Sequence, residues 1–153
     1  MPQQNIGDHF IVLQPLIDAT YNQKRNQDPL WWNKLITLLS DHCDVVVLGT
    51  VESNQKLGPQ AHPRTRIFNS ADPMVSLALM SLASCFVGGE TGLTLWAPIL
   101  KIPTVGLMSR EHKGYLMDTA PLSFGAPVNC FPLEDEANLI AHWILQFMIQ
   151  HRL

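Results

Sequence analysis

Residues 83–108, ASCFVGGETGLTLWAPILKIPTVGLM, decide how this chain folds. A short apolar run, Cys85-Phe86-Val87, closes in Gly88-Gly89, passes through Glu90-Thr91-Gly92, enters an apolar helical pattern, and ends with Pro103 leading a second run, Thr104-Val105-Gly106-Leu107. The order is strand, glycine turn, helix, strand. Two parallel strands need a crossover of this kind, and the turn leaves the first N–H groups of the helix unpaired. Such a helix start is a natural anion site. Gly89, Thr91 and Gly92 are therefore the first candidate ligand residues, with Glu90 between them.

The same strand–helix alternation recurs on both sides. Asp44-Val45-Val46-Val47-Leu48-Gly49 is a continuous β-branched run, the signature of a strand buried on both faces. Shorter runs lie near residues 9–14, 66–69 and 127–131, which with 84–88 and 103–107 makes six strands. Between them, Asp28-Pro29 and Asp72-Pro73 are cap-plus-proline helix starts. The first opens a helix with Leu30, Trp31, Leu35, Leu38 and Leu39 at helical spacing; the second opens a helix apolar enough to be expected under cover on two sides. Residues 52–57 suit only a short helix. The last helix is expected over 133–151, with Glu134, Asp135 and Glu136 in its first turn, where the dipole favours acids. The fold class is α/β: a Rossmann-like, doubly wound parallel sheet of about six strands in a single domain, residues 1–153.

Composition narrows the function. With 46% apolar and 15% charged residues and net charge −3, the 153-residue chain suits one globular core and offers no basic surface for nucleic acid. Cys43, Cys85 and Cys130 are odd in number and widely spaced, so buried free thiols are expected rather than disulfides or a metal site. No cofactor and no metal are expected. Residues 1–8 lack the basic and apolar segments of a leader, and no apolar run has membrane-spanning length, so a cytoplasmic location is expected.

The central motif resembles the C-terminal, donor-binding domain of GT-B glycosyltransferases of the heptosyltransferase type (glycosyltransferase family 9). Their hallmark is a strand, an Asp-Thr-Gly turn, then His, a small-residue helix, Pro and a strand. Thr91, Gly92, Ala97 and Pro103 match it; Glu90 stands for the Asp, Leu95 for the His, and Pro98 for a small helix residue, which implies a shorter or kinked helix. The resemblance implies that this segment faces the donor's phosphates. It also implies roles for Lys24 and Arg25, ahead of Trp31-Trp32, as basic residues near the diphosphate, although a solvated charge pair explains them equally. Gly49, Thr50 and Glu52 resemble a further family pattern after the second strand. Asp72, Pro73 and Met74 fall where members approach the base and ribose, with plain core as the other reading. Arg110, with His112 and Lys113, follows a strand end at the expected cleft and is either a phosphate counter-charge or part of a solvated loop.

The expected function is a glycosyltransferase-like, nucleotide-sugar-binding domain lacking its acceptor half, in which Thr91 and Gly92 hold phosphate weakly and Lys24, Arg25 or Arg110 offset its charge. No catalytic residue is identifiable, and catalysis by the lone chain is not expected; a homodimer or a separate amino-terminal-domain partner would supply the rest. Trp31, Trp32, Trp96 and Trp143, with the apolar face of the last helix, are expected to exceed what one small core hides, which also favours self-association; the competing reading is that all four tryptophans are core. The alternative is a non-catalytic interaction protein that kept the fold and lost the ligand, for which Glu90 and Leu95 speak. Sugar, base and acceptor are not legible.

Overall fold

The computed structural model describes residues 9–15, 27–109 and 125–153. In chain order the elements are β1 (Phe10–Gln14), α1 (Pro29–Ser40), β2 (Asp44–Gly49), α2 (Val51–Leu57), β3 (Thr65–Asn69), α3 (Pro73–Ser81), β4 (Cys85–Gly88), α4 (Gly92–Ile99), β5 (Thr104–Met108), β6 (Val128–Pro132) and α5 (Ala137–Gln150). The six strands form one sheet in the order β3-β2-β1-β4-β5-β6, every pair parallel. All six expected strands are present within a residue or two of their expected ends. β2 and β4, the runs expected in the interior, lie second and fourth in the sheet, and Val45, Val47, Cys85, Phe86 and Val87 are fully buried.

Strand alternation divides the core between two faces. On one, Ile11, Leu13, Val45, Val47, Val87 and Leu107 meet α1 and α5. α1 supplies Trp32, Leu35, Ile36 and Leu39, and α5 supplies Ile140, Ala141, Ile144 and Phe147, each set at three- and four-residue spacing that makes one apolar stripe. The amide of Asn33 on α1 donates to Leu57 O at 2.7 Å and ties in α2. On the other face, Phe10, Val12, Val46, Leu48 and Phe86 meet Met80 of α3 and Ala97 of α4.

Both expected proline caps are made. Asp28 Oδ1 accepts from Trp31 N and Asp72 Oδ1 from Met74 N, each at 2.9 Å. Two expectations are corrected. The last helix begins at Ala137, not near Leu133, and Glu134, Asp135 and Glu136 precede it in a turn and cap instead of filling its first turn. The reason lies in α1's neighbourhood: Trp31 Nε1 donates to Asp135 O at 3.0 Å and the Gln27 amide donates to Leu133 O, so these carbonyls are held by side chains. The second concerns α3, which is apolar all round yet buries only Ser76 and Met80 and leaves Met74 72% exposed. α4 is short, as Pro98 implies, and Lys101 beyond it takes a positive φ of 61°.

Of the tryptophans, Trp32 is fully buried and Trp31 and Trp143 are partly buried against the same core, whereas Trp96 is 54% exposed. The surplus expected of four tryptophans thus reduces to one.

Candidate functional site

The winding of the sheet reverses between β1 and β4: from β1 the chain adds β2 and β3 on one side, then returns to place β4 on the other side of β1 and continues outward through β5 and β6. In open parallel sheets, ligands bind outside the carboxyl ends of the strands at this reversal. Here Gln14, the last residue of β1, is paired in register with Gly88, the last of β4. Gly88 is compelled by packing: a Cβ there would lie 2.6 Å from Thr94 Oγ1 and 2.7 Å from the Phe86 ring. β4 and α4 can approach this closely only with hydrogen at that position.

From Gly88 the chain turns sharply. Gly89 N donates to Gln14 O at 3.4 Å, Thr91 N donates to Gly89 O at 2.9 Å, and the buried Thr94 hydroxyl donates to the same Gly89 carbonyl at 2.6 Å. Thr91 occupies the cap position of α4, but its side chain makes no capping bond. Its hydroxyl donates instead to Gln14 Oε1 at 2.8 Å. Gly92, the first helical residue, is exposed, and a Cβ built on it meets nothing within 4 Å.

This uncapped helix start opens into a cleft of about 930 Å³. Gln14, Thr91 and Gly92 form one end of it. Gly49, Thr50 and Ser70 line it from the carboxyl ends of β2 and β3, and Met74, Leu77, Trp96 and Leu100 from α3 and α4. No charged side chain lines it among the described residues. The volume suits a nucleotide-sized molecule. The lining offers hydroxyls, amide donors and apolar or aromatic faces, and nothing that would act as a general base.

The sequence-based candidates therefore separate. Thr91 and Gly92 line the cleft; Gly89 is buried beneath it, its carbonyl held by Thr94; Glu90 is partly buried in the turn and is not on the cleft wall. Lys24, Arg25 and Arg110, with His112 and Lys113, lie outside the described residues. Gly49, Thr50, Pro73 and Met74 are on the lining, whereas Glu52 and Asp72 are not. Leu95, at the histidine position of the motif, packs beside Met108 and Cys130. Sequence reasoning missed Gln14, Ser70, Ser76 and Trp96. The first was legible only as a strand end, since its partner lies 77 residues away. Among the described residues, no group of three or more His, Cys, Asp or Glu side chains is placed to hold a metal, and no helix is long and apolar enough to cross a membrane.

Comparison with solved structures agrees with this architecture. The chain superposes on the E. coli heptosyltransferase WaaC, solved with ADP, with TM-score 0.69 and 16% identity, covering 94% of this chain and 45% of that one. The E. coli ADP-heptose lipopolysaccharide heptosyltransferase II gives TM-score 0.70 at 18% identity, over 95% of this chain and 48% of that one. A family 9 glycosyltransferase from Veillonella parvula gives 0.62 at 13%, over 92% and 40%. No protein-family model and no curated protein matches the chain. The chain thus has the fold of a heptosyltransferase-like GT-B C-terminal domain, and spans about half the length of the structures it matches or less.

Proposed function

We propose that this chain is a donor-binding domain that takes a nucleoside diphosphate or its sugar in the cleft between α3 and α4, and that it does not catalyse transfer alone. The observation that carries this reading is the uncapped start of α4, with Thr91 and Gly92 on the wall of a nucleotide-sized cleft at the sheet's reversal point. Phosphate oxygens would accept from the first-turn N–H groups, and the exposed, Cβ-free Gly92 lets them approach closely. A planar heterocycle would lie along Met74, Leu77 and Trp96. A helix end contributes about 0.3–1 kcal/mol toward a negative charge at an exposed site, which strengthens binding only about two- to fivefold. Lys24 or Arg25, as the family resemblance implies, or Arg110, which follows the fifth strand in the sequence, would supply the missing counter-charge. Acceptor binding would fall to an amino-terminal-domain partner or to a second copy of the chain, and light scattering of the concentrated protein tests the latter.

Calorimetric titration with ADP and with nucleotide-sugars tests the reading. Weak binding is expected, reduced by Thr91→Ala and by Gly92→Val, and unchanged or tighter in Glu90→Gln because a negative charge near the turn is removed. No heat from any nucleotide, or tighter binding in Gly92→Val, would favour the second reading, an interaction protein that retains the fold without the ligand. That reading draws on Leu95, which puts a packed aliphatic group where the motif carries an imidazole.

A further inference from the structure

A threonine at the start of a helix ordinarily turns its hydroxyl back to accept an amide from the second or third helical residue. Thr50 does so for α2, accepting from Ser53 N at 3.1 Å, and Asp28 and Asp72 cap α1 and α3 in the same manner. Thr91 has the extended backbone of a cap, φ −130° and ψ 167°, but its hydroxyl is engaged by Gln14 Oε1. Glu136, before α5, also makes no cap bond, but glutamate is not a preferred capping residue. At α4 a competent cap is present and held elsewhere.

We propose that Gln14 is a positioning residue: by accepting the Thr91 hydroxyl it withholds the cap from α4 and keeps the first-turn N–H groups open to an anionic oxygen in the cleft. The identity of that anion rests on the nucleoside diphosphate reading above; the withheld cap rests on geometry alone. With Oε1 occupied, the Gln14 amide turns its Nε2 donors away from Thr91, and they have no partner among the described residues. An independent group points to a ligand in the same space. Ser76, on α3, is only 4% exposed and lines the cleft, and its hydroxyl has no hydrogen-bond partner among the described residues. Its oxygen is open to the cleft and is not among the buried unpartnered side-chain atoms, so a ligand with acceptor groups at both ends would meet this hydroxyl at one end and the uncapped helix start at the other.

Amide hydrogen exchange at Leu93 and Thr94, read in the ligand-free protein and paired with ADP titration, tests this. Gln14→Met keeps the side-chain length and removes the acceptor. Thr91 should then cap the helix, slowing exchange at one of the two amides by about fivefold and weakening ADP binding by about two- to fivefold. Gln14→Glu retains the acceptor and should exchange like the unmodified protein, while Thr91→Val added to Gln14→Met should abolish the slowing. Thr91→Asp, which accepts but cannot donate to Gln14, should slow the same amide and supplies the exchange test should Gln14→Met fail to fold. Unchanged exchange in Gln14→Met, or slowing that persists with Thr91→Val, overturns the proposal. Slowed exchange in a protein that binds no ADP supports the role of Gln14 and overturns the nucleotide reading instead.

Discussion

The two faces of the sheet are built to different standards. On the α1 and α5 side, twenty buried residues form one continuous cluster among the described residues, with Trp31 and Trp32 in an edge-to-face pair at 4.9 Å and Trp143 tilted against Phe131 at 5.5 Å. On the α3 and α4 side the corresponding cluster has eight among the described residues, Met74 is largely exposed and Trp96 half-exposed on the wall of the cleft, and Leu82 is exposed nearby in sequence at the end of α3. Burial of apolar area is the dominant stabilising term, so the first face holds the fold together. The second is thinly packed, as a surface that admits a ligand has to be. The sheet carries stability on one side and, on the proposed reading, recognition on the other.

The widest test of that division compares two tryptophans. Trp32→Ala empties a fully buried site and should cost about 3–5 kcal/mol, whereas Trp96→Ala, at a half-exposed site, should cost under about 1 kcal/mol. Urea unfolding of both variants measures this, and equal losses would erase the distinction between the faces.

A smaller contrast lies within one turn. Gly88→Ala forces a methyl against Thr94 and the buried Phe86 ring and should destabilise by about 1–3 kcal/mol. Gly92→Ala meets open space without a positive φ and should leave stability unchanged or raise it by up to about 1 kcal/mol. Thermal unfolding separates them; the reverse order would mean that β4 and α4 are not packed as described.

The smallest effect is alkaline. Burial, above all, pushes the Cys43 thiol up to about 11, with the nearby Arg64 pulling it down and Asp44 pushing it up; burial raises Cys85 as well. Both thiols belong to the α1 and α5 side. A folded-state value above the ordinary 9.0 means that the Cys43 contribution is intact below pH 9 and is lost as the pH rises toward 11, because the unfolded chain ionises first; the Cys85 contribution begins to fall in the same range and continues to fall above it. Urea midpoints should therefore fall between pH 8.5 and roughly 10.5, and less so in Cys43→Ala. A midpoint that holds steady across that range would place these thiols outside the packed face.

Much of the architecture was legible in the sequence because it is encoded locally. Unbroken β-branched runs marked the central strands, and Asp28-Pro29 and Asp72-Pro73 marked two helix starts to the residue. What escaped is set by partners distant in sequence. The turn before α5 depends on Trp31 and Gln27 taking carbonyls more than a hundred residues away, and α3 reads as a covered helix because periodicity reports apolarity, not what packs against it. The site was half legible: a glycine turn announces Thr91 and Gly92, but a glutamine ending a strand carries no signal until the sheet order sets it beside Thr91.

The central claim, that the α3 and α4 side of the sheet is the ligand-binding side, is tested most directly by mapping amide chemical-shift changes during titration with ADP. The largest shifts should fall on Gly92, Leu93 and Thr94, with smaller ones at Gln14 and Ser76, while Leu35, Ile140 and Ile144 on the opposite face stay fixed. Shifts concentrated on α1 and α5, or none at millimolar ADP, would contradict it.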